Sequence, residues 1–135
     1  MKDEAAAYRV AGFNKVGKQW RACEDSESLS YEAGKIEKID DFNQDGKLDA
    51  LITESSAMCY GNAGVAYYLV TNKSNGKWKL ITKGVGTPKF LKTLGVEGWP
   101  DLEIGGPSFC FPVQRWNGKS YVLNRHQYEN KVCSK

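Results

Sequence analysis

Residues 41–53 read DFNQDGKLDALIT, and the whole architecture turns on this string. Asp41, Asn43 and Asp45 alternate, Gly46 interrupts them, and Asp49 stands at the mouth of an apolar run. Side chains at loop positions one, three and five converge on a point when the backbone wraps around it. Position six must then turn sharply, which Gly46 permits because glycine accepts positive φ. Lys47 at position seven offers a backbone carbonyl while its ammonium points away. Without a partner, Asp41, Asp45 and Asp49 repel one another, and an oxygen-only ligand set suits a hard cation, above all calcium. A solvated turn whose carboxylates cap backbone amides accounts for the same residues. Both readings stand at this point.

The run after the loop is β-branched, so the loop leads into a strand rather than a helix. Outward from there, helical periodicity is weak. Only EAAAYRVAGF near the start has the alanine content of a helix, and Gly12 stops it early. From Lys18 onward, short runs alternate with turn residues: KQWRA, KIEKI, LDALIT, VAYYLVT, KWKLITK, KFLKTL, DLEIG, FPVQRW and SYVLNR. Between them NQDG, YGNAG, KSNGK and WNGK supply the Gly and Asn of tight turns. The expectation is a mostly β chain, a small single domain (1–135) of antiparallel β-meander units with a short N-terminal helix. Residues 48–80 and 100–123 also look alike: each opens on an Asp-bearing strand, passes a cysteine, and closes on Asn-Gly-Lys before an aromatic-bearing strand. They read as diverged copies of one meander unit.

With 135 residues, 41% hydrophobic and 26% charged, the composition is that of an ordinary globular domain. The net charge of +3 is spread in ones and twos between strands, not gathered as a nucleic-acid footprint. No apolar run approaches the roughly 20 residues of a membrane span. Met1 is followed by KDE and not by a basic stretch and an apolar run, so no leader is legible. So polar a start looks like the head of a mature secreted chain. Cys23, Cys59, Cys110 and Cys133 lack zinc spacing. They are either buried thiols of a cytosolic protein or two disulfides of an exported one, and export is the favoured reading. Equivalent places in the two similar segments predict Cys59 paired with Cys110, which leaves Cys23 for Cys133.

An enzyme should show its acid, base or nucleophile. His126 is the single histidine, and it alternates with polar residues as a strand surface does. No nucleophile elbow, phosphate loop or dinucleotide fingerprint occurs. Glu32, Glu37, Glu54, Glu97 and Glu103 are scattered. A non-catalytic binding protein is expected instead. Trp20, Trp78, Trp99 and Trp116 fit sheet packing, while the long turn ESSAMCYGNAG is the choice for recognition. Its candidate contacts are Glu54, Ser55, Ser56, Met58, Tyr60 and Asn62, with Cys59 as a brace. A homodimer is compatible with this sequence.

DDFNQDGKLDALIT resembles the calcium loop of FG-GAP and VCBS-type repeats, found in integrin-type β-propellers and in many exported bacterial proteins. It departs from the EF-hand, since position twelve is Ile52 where that motif needs a bidentate glutamate. WPDLEIGG resembles a degenerate second copy that kept Asp-Leu but lost the ligands. The resemblance implies one calcium held by Asp41, Asn43, Asp45, Asp49 and the Lys47 carbonyl. A full propeller needs more blades than this length holds, so a single small β domain is implied. The layout as a whole is similar to small periplasmic immunity proteins that protect against peptidoglycan amidase effectors of type VI secretion. That similarity implies a plug for an amidase active site. A calcium-stabilised extracellular adhesion or structural module is the alternative.

Overall fold

The computed structural model describes residues 4–24, 29–74, 76–107 and 109–133. Helix α1 (Glu4–Val10) is followed by a hairpin of β1 (Asn14–Val16) and β2 (Gln19–Arg21). A first meander comprises β3 (Glu32–Asp40), β4 (Asp49–Ser55), β5 (Val65–Ser74) and β6 (Lys77–Val85), with helix α2 (Ala57–Tyr60) between β4 and β5. A second comprises β7 (Thr87–Leu94), β8 (Pro100–Gly105), β9 (Phe111–Trp116), β10 (Tyr121–Tyr128) and β11 (Lys131–Val132). The sheets have the strand orders β3-β4-β5-β6 and β11-β10-β9-β8-β7, and every pairing is antiparallel. The fold is thus mostly β. The segments 48–80 and 100–123 fall on β4 to β6 and on β8 to the start of β10.

Three layers result. On one face of the four-stranded sheet, Ile52, Tyr68 and Val70 pack against Ala7, Tyr8 and Phe13 from α1 and the segment after it. On the other face, Leu51, Tyr67 and Leu69 pack against Trp99, Leu102, Ile104, Trp116 and Tyr121 of the second meander. Strands β4 and β5 are therefore covered on both sides, which is why LDALIT and VAYYLV are nearly continuous apolar runs and do not alternate. Burying each large side chain contributes about 1.5–3 kcal/mol. Helix α1 ends where Gly12 N–H bonds Arg9 O and Phe13 N–H bonds Tyr8 O, the double closure of a Schellman motif. The chain crosses from one sheet to the other at Gly86, where φ is 128° and a β-carbon would lie 2.6 Å from Ile104 Cγ2. Only glycine fits there.

Both expected disulfides form, but not between the expected partners. Cys23 is bonded to Cys59 and Cys110 to Cys133. The anticipated 59–110 and 23–133 pairs fail because Cys59 lies on α2 within the first meander and Cys110 just before β9 in the second. Cys23 is drawn to α2 instead, as its N–H and that of Ala22 both donate to Glu54 at the end of β4. Cys133 N–H bonds His126 O, and His126 pairs with Pro112, which brings Cys133 to the start of β9 beside Cys110. Two bridges are the mark of a chain that matures in an oxidising, extracytoplasmic compartment. Among the described residues no helix is long and apolar enough to cross a membrane.

Candidate functional site

The 41–49 loop joins β3 to β4, and its carboxylates organise it. Asp41 Oδ1 accepts from Asp45 N–H at 3.1 Å and Asp41 Oδ2 from Gly46 N–H at 2.7 Å. Asp45 Oδ1 accepts from Lys47 N–H at 2.9 Å. The turn is made by Gln44 and Gly46, with φ of 58° and 87°. One terminal atom of the Asn43 amide lies 3.1 Å from Asp41 Oδ1 and 3.2 Å from Asp45 Oδ1. With nitrogen inward it donates to both carboxylates. With oxygen inward, acceptors from positions one, three and five face one another with no donor between them.

Asp49 is fully buried and employed elsewhere: its Oδ2 accepts from Phe42 N–H at 2.8 Å and its Oδ1 from the Thr71 hydroxyl at 2.6 Å. Burial pushes its pKa up to about 6; the Thr71 and Phe42 hydrogen bonds oppose this, and the charges of Asp45 and Asp41 add to it. The loop is backed by the turn between β7 and β8. A β-carbon on Gly98 would lie 2.9 Å from the Asn43 carbonyl oxygen, so the two turns are in direct contact. A cavity of about 260 Å³ there is lined by Asn43, Asp45, Asn72, Glu97, Trp99 and Trp116 among others. Asn72 Oδ1 is buried with no hydrogen-bond partner.

The chemistry of this donor set fits a hard cation: Asp41, Asn43 and Asp45 converge, and an unsatisfied amide oxygen lines the adjoining cavity. The fit is partial. Among the described residues no three His, Cys, Asp or Glu side chains form a metal-ligating group, and Asp49 faces Phe42 and Thr71. As arranged here, the carboxylates also cap backbone amides, the second role the sequence left standing.

The 54–64 segment has a different character from an open turn. Glu54 is 1% exposed, and its Oε2 accepts from Ala22 N–H at 3.0 Å, Cys23 N–H at 3.2 Å and the Tyr31 hydroxyl at 2.6 Å. Its Oε1 takes the Tyr60 hydroxyl, which also lies 3.3 Å from that of Tyr68. Burial, then the bond to Glu54, pushes the Tyr31 phenol up to about 12 and the Tyr60 phenol further in the same direction. Ser56 is fully buried and caps α2, accepting from Cys59 N–H at 3.0 Å. Its own N–H closes the base of the loop on Gly64 O. Glu54 and Ser56 are therefore scaffold and not surface contacts, and half-buried Tyr60 serves the same scaffold. Ser55 is half-buried, whereas Met58 (67% exposed) and Asn62 face outward.

A third polar centre went unmarked in the sequence. On β8, Asp101 and Glu103 share a face, as alternation along a strand dictates. Asp101 is fully buried and receives Arg115 Nε at 3.0 Å, Arg115 Nη2 at 2.8 Å, Arg125 Nη1 at 3.1 Å and the Thr93 hydroxyl at 2.6 Å. Glu103 receives Gln127 Nε2 at 2.6 Å. The i, i+2 spacing of the two acids was the signal that could have found it. His126 is half-buried on β10. No known protein family matches the chain, and it has no significant match among curated proteins or solved structures.

Proposed function

We propose that this protein is a non-catalytic, exported binding protein of the periplasm that inhibits a peptidoglycan amidase effector of type VI secretion. The 54–64 loop occupies the enzyme's active-site cleft. The observation that carries this reading is the way that loop is held. The Cys23–Cys59 bridge, the buried Glu54 and the Ser56 cap fix its base while Met58 stands out at its crest. A recognition loop fixed before binding loses little conformational entropy on docking, and an inhibitor of this kind needs no chemistry of its own.

Calcium binds the 41–49 loop through Asp41, Asn43 and Asp45, with the Lys47 carbonyl as a further ligand, while Asp49, held by Phe42 and Thr71, anchors the start of β4 behind them. It supplies charge compensation to a carboxylate cluster and so holds the β3–β4 turn. The test is inhibition of a purified peptidoglycan amidase effector by this protein, comparing the wild type with Met58→Ala. Tight inhibition that weakens more than tenfold on substitution supports the reading. If no peptidoglycan amidase binds, a calcium-stabilised adhesion module takes its place.

A further inference from the structure

The face of the five-stranded sheet that points away from the core is built more tightly than a solvated face requires. Asp101 and Val113 are 0% exposed, Gln127 5% and Glu103 9%. A continuous set of hydrogen bonds runs from Glu103 to Gln127, from Gln127 Oε1 to Arg125 Nε at 3.1 Å, and from Arg125 to both Asp101 and the Thr93 hydroxyl. Arg125 is thereby fixed in one orientation. Beside it a cavity of about 490 Å³ is lined by Lys89, Lys92 and Arg125, with Phe90, Leu91 and other residues between them, and by no carboxylate. Among the described residues the ion pairs are Lys35–Glu37 and the two on Asp101. Lys89 and Lys92 take part in none of these pairs; Lys89 stands cross-strand from Glu103, which Gln127 already engages, and the two lysines bring positive charge to a site whose floor is already ordered.

Strand β7 carries this cavity, and it is the edge of its sheet. Its pairing with β8 is interrupted between Phe90 and Leu94. A second cavity, of about 690 Å³, shares Phe90, Leu91 and Lys92 with the first and extends toward Ile39 and Phe42. An extended peptide laid along a free edge sends successive side chains to opposite faces. One set would enter the cation-lined cavity, and the other the larger one, whose lining mixes Ile39, Phe42 and Phe90 with Lys38, Asp40 and Asp41. Lysines on an edge strand also discourage pairing between copies, but that role does not require the fixed Thr93–Arg125–Gln127 floor.

We propose that the free edge of β7, with the cavity over Thr93, Arg125 and Gln127, docks an extended acidic segment of a partner protein whose carboxylates sit among Lys89, Lys92 and Arg125. This site is separate from the 54–64 loop and does not rest on the inhibitor reading. The test is an amide NMR titration of the whole chain with a blocked peptide of alternating glutamate and valine. An alternating lysine and valine peptide and inorganic phosphate serve as controls. Shifts from the acidic peptide should concentrate in residues 87–94 and 125–130 and weaken as salt rises. Affinity should fall at least tenfold in the Lys89→Glu, Lys92→Glu double variant. Both lysines are exposed, so that variant should melt within a few degrees of the wild type. Absence of shifts, equal binding of the lysine peptide, undiminished binding by the double variant, or equal shifts from phosphate would each overturn the proposal.

Discussion

Asp49 and Asp101 hold the same place in their respective meanders. Each stands at the start of its meander's second strand, each is fully buried, and each accepts a 2.6 Å hydrogen bond from a threonine, Thr71 or Thr93. They differ in counter-charge. Asp101 is met by two guanidinium groups, whereas the charged groups felt at Asp49 are the carboxylates of Asp45 and Asp41. Burial raises both. At Asp101 the hydrogen bonds of Arg115, Thr93 and Arg125 and the charge of Arg115 overcome it, leaving that carboxyl below its usual range.

The Asp101 centre makes stability sensitive to acid. A carboxyl whose folded pKa is lowered contributes stability that is complete above its unfolded value of about 3.9 and is lost as pH falls through the folded value. Urea midpoints should therefore drop below about pH 4. Asp101→Asn, which removes the counter-charge of two partly exposed guanidiniums, should cost about 1–3 kcal/mol at pH 7 and flatten that part of the profile. Equal pH profiles for variant and wild type would contradict this.

Calcium should raise the melting temperature. With a Kd of about 10⁻⁴ to 10⁻³ M, a hundredfold excess of ion adds about 2.7 kcal/mol, or roughly 10 °C for a domain of this size. Asp45→Ala should abolish the shift. Identical melting curves in EDTA and in excess calcium would remove the metal from the account.

Non-reducing peptide mapping should return Cys23–Cys59 and Cys110–Cys133. Each closes a loop shorter than the expected pairing would have closed, with separations of 36 and 23 residues. In the chain-entropy model each contributes about 3–4 kcal/mol. Replacing Cys110 and Cys133 by alanine should lower stability by up to that amount.

Within the 54–64 loop, substitutions should divide by role. Met58→Ala should weaken inhibition of the amidase more than tenfold, a loss above about 1.4 kcal/mol, with little change in melting temperature. Glu54→Gln should lower stability by roughly 2–3 kcal/mol, since it turns an amide toward donors now satisfied by a carboxylate. Tyr60→Ala should behave like Glu54→Gln. A Tyr60→Ala protein as stable as the wild type would remove the structural role assigned to that residue.

The nine strand runs were legible because Gly and Asn bracket them and because β4 and β5 are apolar on both faces. Strands β1 and β11 are short and wholly exposed, so they bury nothing that would leave a pattern, unlike β2 with its half-buried Trp20. The 41–49 turn was legible because its chemistry is local: residues two to seven apart bond one another. Glu54 was misjudged because its partners, Ala22, Cys23 and Tyr31, lie 23–32 residues away and are chosen by tertiary packing. The cysteines were misjudged for the same reason. Similar spacing in two segments implied contact, when it meant equivalent places in two different meanders.

The two bridges join cysteines that are neighbours in sequence, first to second and third to fourth. A chain that emerges from its N-terminus presents Cys23 and Cys59 as a complete couple before Cys110 exists, and Cys110 then has only Cys133 to wait for. The order of appearance itself selects the native pairing among the three connectivities four cysteines allow. Reshuffling is needed only if the first couple is left open too long. Neither bridge spans the two sheets, so each half can be sealed before the halves meet.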